Sequence, residues 1–178
     1  MTRFVCAAMA AALLLPLPAA AQTSFSAYQA VREALVAVWD ELPLSVAHAG
    51  FVSAPPLGFG QYTPREGSKF ALDEPVSVYA ELYGYGVETR ADGSYARRLS
   101  ADLALLDAGG ALRANQLDFW NSEEVFAHRP LEMHLSFSAT LSAFEPGAYT
   151  LRFTLHDLAG GKETSFDLPI QLGEVKGS

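Results

Sequence analysis

The sequence predicts a mainly β protein: an antiparallel two-sheet sandwich preceded by one N-terminal α-helix. Three observations lead there. From Phe70 onward, apolar and polar side chains alternate through a series of short segments separated by turn residues. No helical period interrupts those segments, so the strands must pack sheet against sheet. The one clear helical period lies ahead of them, in "SFSAYQAVREALVAVWDEL".

The chain opens with "MTRFVCAAMAAALLLPLPAAAQ". Arg3, the apolar run from Phe4 to Leu15 and the triplet Ala19-Ala20-Ala21 follow in the order of a secretory signal peptide, predicting residues 1–21 as a leader cut after Ala21. The run is shorter than the ~20 residues a bilayer span needs, and no later stretch is apolar enough to span. The expected location is therefore periplasmic or secreted. Cys6, the single cysteine, leaves with the leader, and thiol catalysis and thiolate metal sites leave with it. The net charge of −8, with no basic cluster longer than Arg97-Arg98, lacks the positive footprint that nucleic acid requires.

Residues 22–69 read as the helix and an irregular connector packed on the sandwich. In the helix, Tyr28, Val31, Leu35, Val38, Trp39 and Leu42 recur at spacings of three and four, one stripe that asks for burial. Ser24 or Ser26 caps its start, and Pro43 ends it. From Pro43 to Lys69, Pro and Gly occur at turn-forming density in "APPLGFGQYTPREG". Phe51, Phe59 and Tyr62 mark this stretch as lying across the body, with a short edge strand expected near Gly58 to Thr63.

Residues 70–173 form the predicted sandwich, and 174–178 a tail. Val76, Val78, Ala80 and Leu82 alternate with Ser77, Tyr79, Glu81 and Tyr83, a strand apolar on both faces; the helix is expected to lie over Tyr79 and Tyr83. Asp92-Gly93 supplies the residues of a tight hairpin. Leu99, Ala101, Leu103 and Leu105 share one face before the turn "DAGG". "ALRANQLDFW" alternates more weakly, and Leu131, Met133, Leu135 and Phe137 face away from His134, Ser136 and Ser138. Tyr149, Leu151, Phe153 and Leu155 are matched across "DLAGGKET" by Phe166, Leu168, Ile170 and Leu172. Such alternation is that of antiparallel sheets with one wet face.

"LSAFEPGAYTLRFTLHD" resembles the penultimate strand of immunoglobulin-like and fibronectin-type domains. In those families a tyrosine near the start of that strand bonds back to the preceding corner, two positions before a buried apolar residue or Cys. Tyr149 and Leu151 match, and Gly147 permits the turn. The resemblance covers residues 70–173 and implies an immunoglobulin-like scaffold, with the Tyr149 hydroxyl bonded to backbone around Leu141 to Phe144. It implies no activity.

Catalytic signatures are missing from the sequence. There is no G-x-S-x-G elbow or S-x-x-K pair. His48, His128, His134 and His156 show no metal-binding spacing, although His134 and His156 are placed to approach each other across a sheet. The pairs Asp40-Glu41, Asp73-Glu74 and Glu123-Glu124 are sequence neighbours, which point to opposite faces of a strand. No catalytic residue, metal ligand or cofactor is expected from this pattern. Candidate binding residues are the tyrosines around the expected hairpin, Tyr83, Tyr85 and Tyr95, with Trp120, because a flat ring with a polar tip suits protein interfaces and sugar stacking. The expected function is an exported, non-catalytic binding or accessory module whose partner is a cell-envelope protein, with a glycan second. The alternatives are an enzyme with a dispersed carboxylate pair acting on envelope polysaccharide, or a structural subunit of an envelope assembly.

The exported protein is expected to begin at Gln22 and contain no thiol. Intact mass of the secreted product checks this, and a product that retains Cys6 overturns it.

Overall fold

A computed structural model describes residues 24–173; the expected leader, 1–21, and tail, 174–178, lie outside the described residues. The protein is mainly β, with two sheets and one helix among the described residues. Helix α1 spans Phe25–Glu41. The Ser24 hydroxyl accepts the Ala27 N–H at 3.2 Å, satisfying a donor that the first turn leaves unbonded. Leu42 turns extended ahead of Pro43 and ends the helix.

The strands are β1 (Ser45–Phe51), β2 (Lys69–Ala71), β3 (Pro75–Tyr83), β4 (Glu88–Thr89), β5 (Tyr95–Asp107), β6 (Leu112–Phe126), β7 (His134–Thr140), β8 (Gly147–Asp157) and β9 (Lys162–Gly173). The smaller sheet has the order β1-β3-β7. The larger runs β2-β9-β8-β5, with β6 on the far edge of β5 and short β4 beside β5 beyond the end of β8. Every strand pairing is antiparallel except β2–β9, which is parallel and corrects the purely antiparallel expectation. That pairing covers the outer edge of β9.

The sheets share one core. Val76, Val78, Ala80 and Leu82 of β3 and Leu135 and Phe137 of β7 face Leu99, Ala101 and Leu105 of β5 and Leu151, Phe153 and Leu155 of β8. Phe137 stacks on Phe153 from the opposite sheet at 5.2 Å between ring centroids. The Asp92-Gly93 turn forms as expected, with Gly93 at φ +83° and its N–H donated to the Arg90 carbonyl.

Three expectations are corrected. The connector is not irregular throughout, because β1 lies inside it. A register shift between Val46 and His48 against β3 breaks the alternation that would have revealed the strand. Near Gly58 to Thr63 there is no strand but a turn closed by a Gly58–Gln61 bridge. Tyr149 is half-buried, and its hydroxyl donates to the Glu145 carbonyl at 2.9 Å, one residue beyond the expected acceptors.

Helix and sheets are joined at the β8–β9 turn. Asp157 is 1 % exposed, and its carboxylate accepts the N–H groups of Gly86 at 2.7 Å, Gly160 at 2.9 Å and Ala159 at 3.2 Å. Beyond the turn, the Lys162 ammonium donates to the carbonyls of Gly84 at 2.7 Å, Leu42 at 2.8 Å and Asp40 at 3.2 Å. A helix C-terminus leaves such carbonyls unbonded and favours a cation there. Gly86 is required by the close approach: a Cβ on it would sit 2.7 Å from the Gly160 backbone.

Asp157→Ala is expected to lower stability by about 1–3 kcal/mol or more, since buried N–H donors lose their acceptor. Gly86→Ala should destabilise as well, by forcing the two loops apart. Denaturant midpoints check both, and an unchanged midpoint for either would show that this junction does not hold the fold.

Candidate binding surface

The tyrosine cluster read from the sequence does not form a surface. Tyr85 is fully buried, 0 % exposed, which corrects its assignment as a binding residue. After β3 the chain crosses toward the larger sheet through Gly84 and Gly86, and these close approaches carry Tyr85 inward. Its ring meets the Trp39 edge at 5.1 Å and lies under the Arg97 guanidinium at 5.2 Å. Burial pushes the Tyr85 hydroxyl pKa up against the pull of Arg97.

The other candidates are dispersed. Tyr83 is half-buried beneath Trp39 at 5.6 Å and Phe59 at 6.2 Å. Tyr95 pairs with Phe126 at the start of β5. Trp120 turns its ring edge-on to Phe137 of the core at 5.4 Å. These rings mainly close seams between elements.

A cluster the sequence reading missed lies on the outer face of the smaller sheet. Tyr79 is 0 % exposed, with Tyr62 stacked on it at 4.1 Å and His134 at 5.6 Å; His48 stacks on Tyr62 at 5.3 Å. The Gly60 N–H donates to the Tyr79 hydroxyl at 2.7 Å, and that hydroxyl donates to Glu81 at 2.8 Å. Thus the 57–63 loop covers Tyr79, not the helix as expected. Burial, opposed by the Gly60 N–H and reinforced by Glu81, pushes the Tyr79 pKa up to about 12. The signal in the sequence was the aromatic content of the connector. It did not reveal which strand the connector would cross.

His134 and His156 do not meet. His134 belongs to the smaller sheet, whereas His156, on the larger, bridges Asp102 at 3.0 Å and Glu163 at 3.1 Å. Among the described residues, no three His, Cys, Asp or Glu side chains come together to hold a metal ion. The Asp118 N–H and His156 hold Asp102 below the usual carboxylate range. Backbone N–H groups, the Ala111 N–H foremost, do the same for Asp107, and Arg152 does so for Asp167.

The helix presents the largest departure from expectation. Trp39 is buried at 4 % exposure and its Nε1 donates to the Tyr85 carbonyl at 2.9 Å. Arg32, half-buried, donates to the Arg129 carbonyl at 2.8 Å, and Arg129 pairs with Asp40. Arg32, Val36 and Trp39 therefore make the body-facing side. At about 100° per residue, the apolar stripe lies roughly a quarter-turn away. Its residues are exposed: Tyr28 56 %, Val31 69 %, Leu35 48 %, Val38 56 %, Leu42 37 %, with Phe25 at 72 % beside them. None of the described helices is long and apolar enough to cross a membrane.

An open groove of about 420 Å³ separates β6 from β7, lined by Leu105, Phe119, Leu141, Phe144 and Leu151, with Asn115 and Gln116 at its β6 side. No carboxylate or histidine lines it.

No family model matches this sequence, and no curated protein does. Among solved structures, an alkylpurine DNA glycosylase, AlkC, from Pseudomonas fluorescens, bound to DNA containing an abasic-site analogue, is similar over 82 % of this chain at 11 % identity and a TM-score of 0.41. This chain spans 38 % of the length of that one. So loose a likeness transfers nothing to this protein.

The Tyr79 geometry sets an alkaline limit. Its pKa is raised in the fold, so its contribution is fully present below the unfolded value near 10 and is lost as pH rises toward about 12. Tyr79→Phe should flatten the fall in stability over that window, measured by denaturant unfolding against pH. An unchanged slope would show that Tyr79 ionises freely.

Proposed function

We propose that the protein is an exported, non-catalytic binding or accessory module whose partner is a cell-envelope protein, a glycan being the second choice. The observation that supports this reading best is the helix: an apolar stripe held outward on an element fixed to the body by Trp39, Arg32 and Lys162. Large exposed apolar surface of this kind marks interaction sites on soluble proteins. Export rests on the leader pattern of residues 1–21, and the net charge of −8 favours a protein over nucleic acid. The two-sheet body reads as an immunoglobulin-like sandwich, supported by the Tyr149 bond to Glu145 two residues before buried Leu151.

A second reading, a structural subunit of an envelope assembly, is favoured by β6. This strand pairs only with β5 among the described strands, and it exposes Leu112 at 60 % and Leu117 at 67 % on the stretch that lines the open groove, and Val125 at 51 % toward its other end. Free strand edges of this kind accept another chain.

Photo-crosslinking in the native envelope separates the two. A crosslinker at Val38 should capture a protein, and one at Ser165 on the wet face of β9 should not. Capture from Leu117 but not from Val38 would favour the assembly reading. Capture from neither overturns both.

A further inference from the structure

The two sheets close along one seam and part along the other. On the closed side, Phe51 of β1 meets Phe70 of β2 at 5.0 Å, and β1 lies against β9. On the other side the sheets end in β7 and β6, which are not paired with each other. Phe119 and Trp120 of β6 fill this seam part of the way, reaching Phe137 of β7 at 5.3 and 5.4 Å. Beyond them the filling stops. Ala114 stands opposite buried Leu105, and Ala139 follows Leu135 and Phe137 on the inward face of β7. Two small side chains at these positions leave the groove of about 420 Å³.

The groove presents backbone as well as apolar side chain. β7 lines it with Ser138, Ala139 and Thr140, and β6 with Ala114, Asn115 and Gln116. Consecutive strand residues point to opposite faces, so a cavity that touches three in a row meets the strand's edge, where peptide N–H and C=O groups lie. The two edges differ. β7 pairs with β3 in unbroken register from His134 to Thr140, whereas register shifts against β5 flank residues 114–116 of β6. Bulges blunt an edge, and a regular edge can receive a strand.

Charge narrows the occupant. No Asp, Glu, Lys, Arg or His lines the groove. An ionised side chain set into it would be desolvated without a counter-charge. A second copy offering its own β6 would bring Asp118, Glu123 and Glu124 to a chain of net charge −8. An acyl chain would match the apolar floor of Leu105 and Leu151 but leave the strand edge without a partner.

We propose that the open seam takes an extended, uncharged segment of a partner protein. The segment adds to the free edge of β7 at Ser138 to Thr140 as a fourth strand of the smaller sheet, and at every second position it sets an apolar side chain over Leu105 and Leu151. Strand addition of this kind draws affinity from main-chain hydrogen bonds and specificity from pockets for alternate side chains. It rests on the assembly reading given above and names the chain that the exposed stretch of β6 meets.

The test uses the exported protein and a set of short labelled peptides in which Thr alternates with Val, Leu, Ile or Phe, each carrying a solubilising tail. Fluorescence anisotropy should show a member of the set binding, and replacing its apolar residues by Asp should weaken binding at least about tenfold. N-methylation at every second amide, in the register that faces β7, should cost at least about tenfold as well, while the opposite register is tolerated. Hydrogen exchange at residues 138–140 should slow in the complex. Ala114→Phe, which fills the groove, should abolish binding and leave the denaturant midpoint unchanged; Gln116→Phe, at an exposed position, replaces it if the midpoint shifts. Equal binding of both N-methylated registers, or binding that survives the filled groove, overturns the inference. So does dodecanoate binding that Ala114→Phe removes while no peptide binds, which would assign the groove to an acyl chain. Self-association removed by the same substitution would assign it to a second copy and overturns it too. If Leu117 crosslinks to a protein but no peptide of the set binds, the assembly reading stands and the strand-addition inference falls.

Discussion

The junction at the β8–β9 turn is the constraint on which the other elements depend. Two opposite charges in one short hairpin do different work. Asp157 gathers backbone N–H groups from its own turn and from the Gly86 loop, fixing the crossing from the smaller sheet to the larger. Lys162 gathers carbonyls from the helix end and from Gly84. Neither residue needs the other as an ion-pair partner, because each bonds backbone groups that lack a partner within the helix or sheet ladders: buried N–H donors for Asp157, and for Lys162 the carbonyls of the helix end and of buried Gly84. The glycines complete the device, since Gly84 and Gly86 bring backbone against backbone where a Cβ would collide.

That junction explains why aromatic side chains concentrate there without forming a binding face. Trp39 closes over Tyr83 and Tyr85, and Arg97 lies between the Tyr85 and Phe126 rings, at 5.2 and 4.9 Å, while pairing with Glu124. The rings supply the apolar contact that seats the helix end, and the guanidinium is desolvated with a carboxylate and two aromatic faces around it. A cluster of tyrosines in sequence is thus, in this fold, a seal between the helix and two sheets.

Much of the architecture was legible because it depends on local periodicity. β3, β5, β7, β8 and β9 turn inward the residues that their alternation selects, most of them buried and Leu103, Tyr149, Phe166 and Leu168 half-buried against the core. β1 was hidden by a single register shift between Val46 and His48, which a period-two reading cannot absorb. The site was less legible for a different reason. Periodicity identified the stripe through Leu35 and Val38, and it identified Tyr79 as opposite the core, but not which surfaces face each other. The two apolar surfaces looked like natural partners. In the fold, Tyr62 and Gly60 reach Tyr79 first, from a loop whose path depends on Arg65 lying over Phe70 at 4.1 Å and donating its backbone N–H to Phe51. With that position taken, the helix docks by Arg32, Val36 and Trp39, and its stripe stays outside.

An apolar stripe left in water is costly to a folded chain unless the helix is held by something else. Here it is held: the N-terminal cap, the Lys162 ammonium and the buried indole keep α1 ordered without any contribution from Tyr28, Val31, Leu35 or Val38. Ordering a helix at the moment of association normally weakens binding, because backbone and side-chain freedom are lost together. A helix already ordered by contacts on a different face avoids that loss, and a partner gains the full apolar contact. The same arrangement separates stability from recognition. Substitutions along the stripe change what the helix can bind while the Asp157–Lys162 junction, which holds the backbone carbonyls at the C-terminal end of α1, continues to hold the fold.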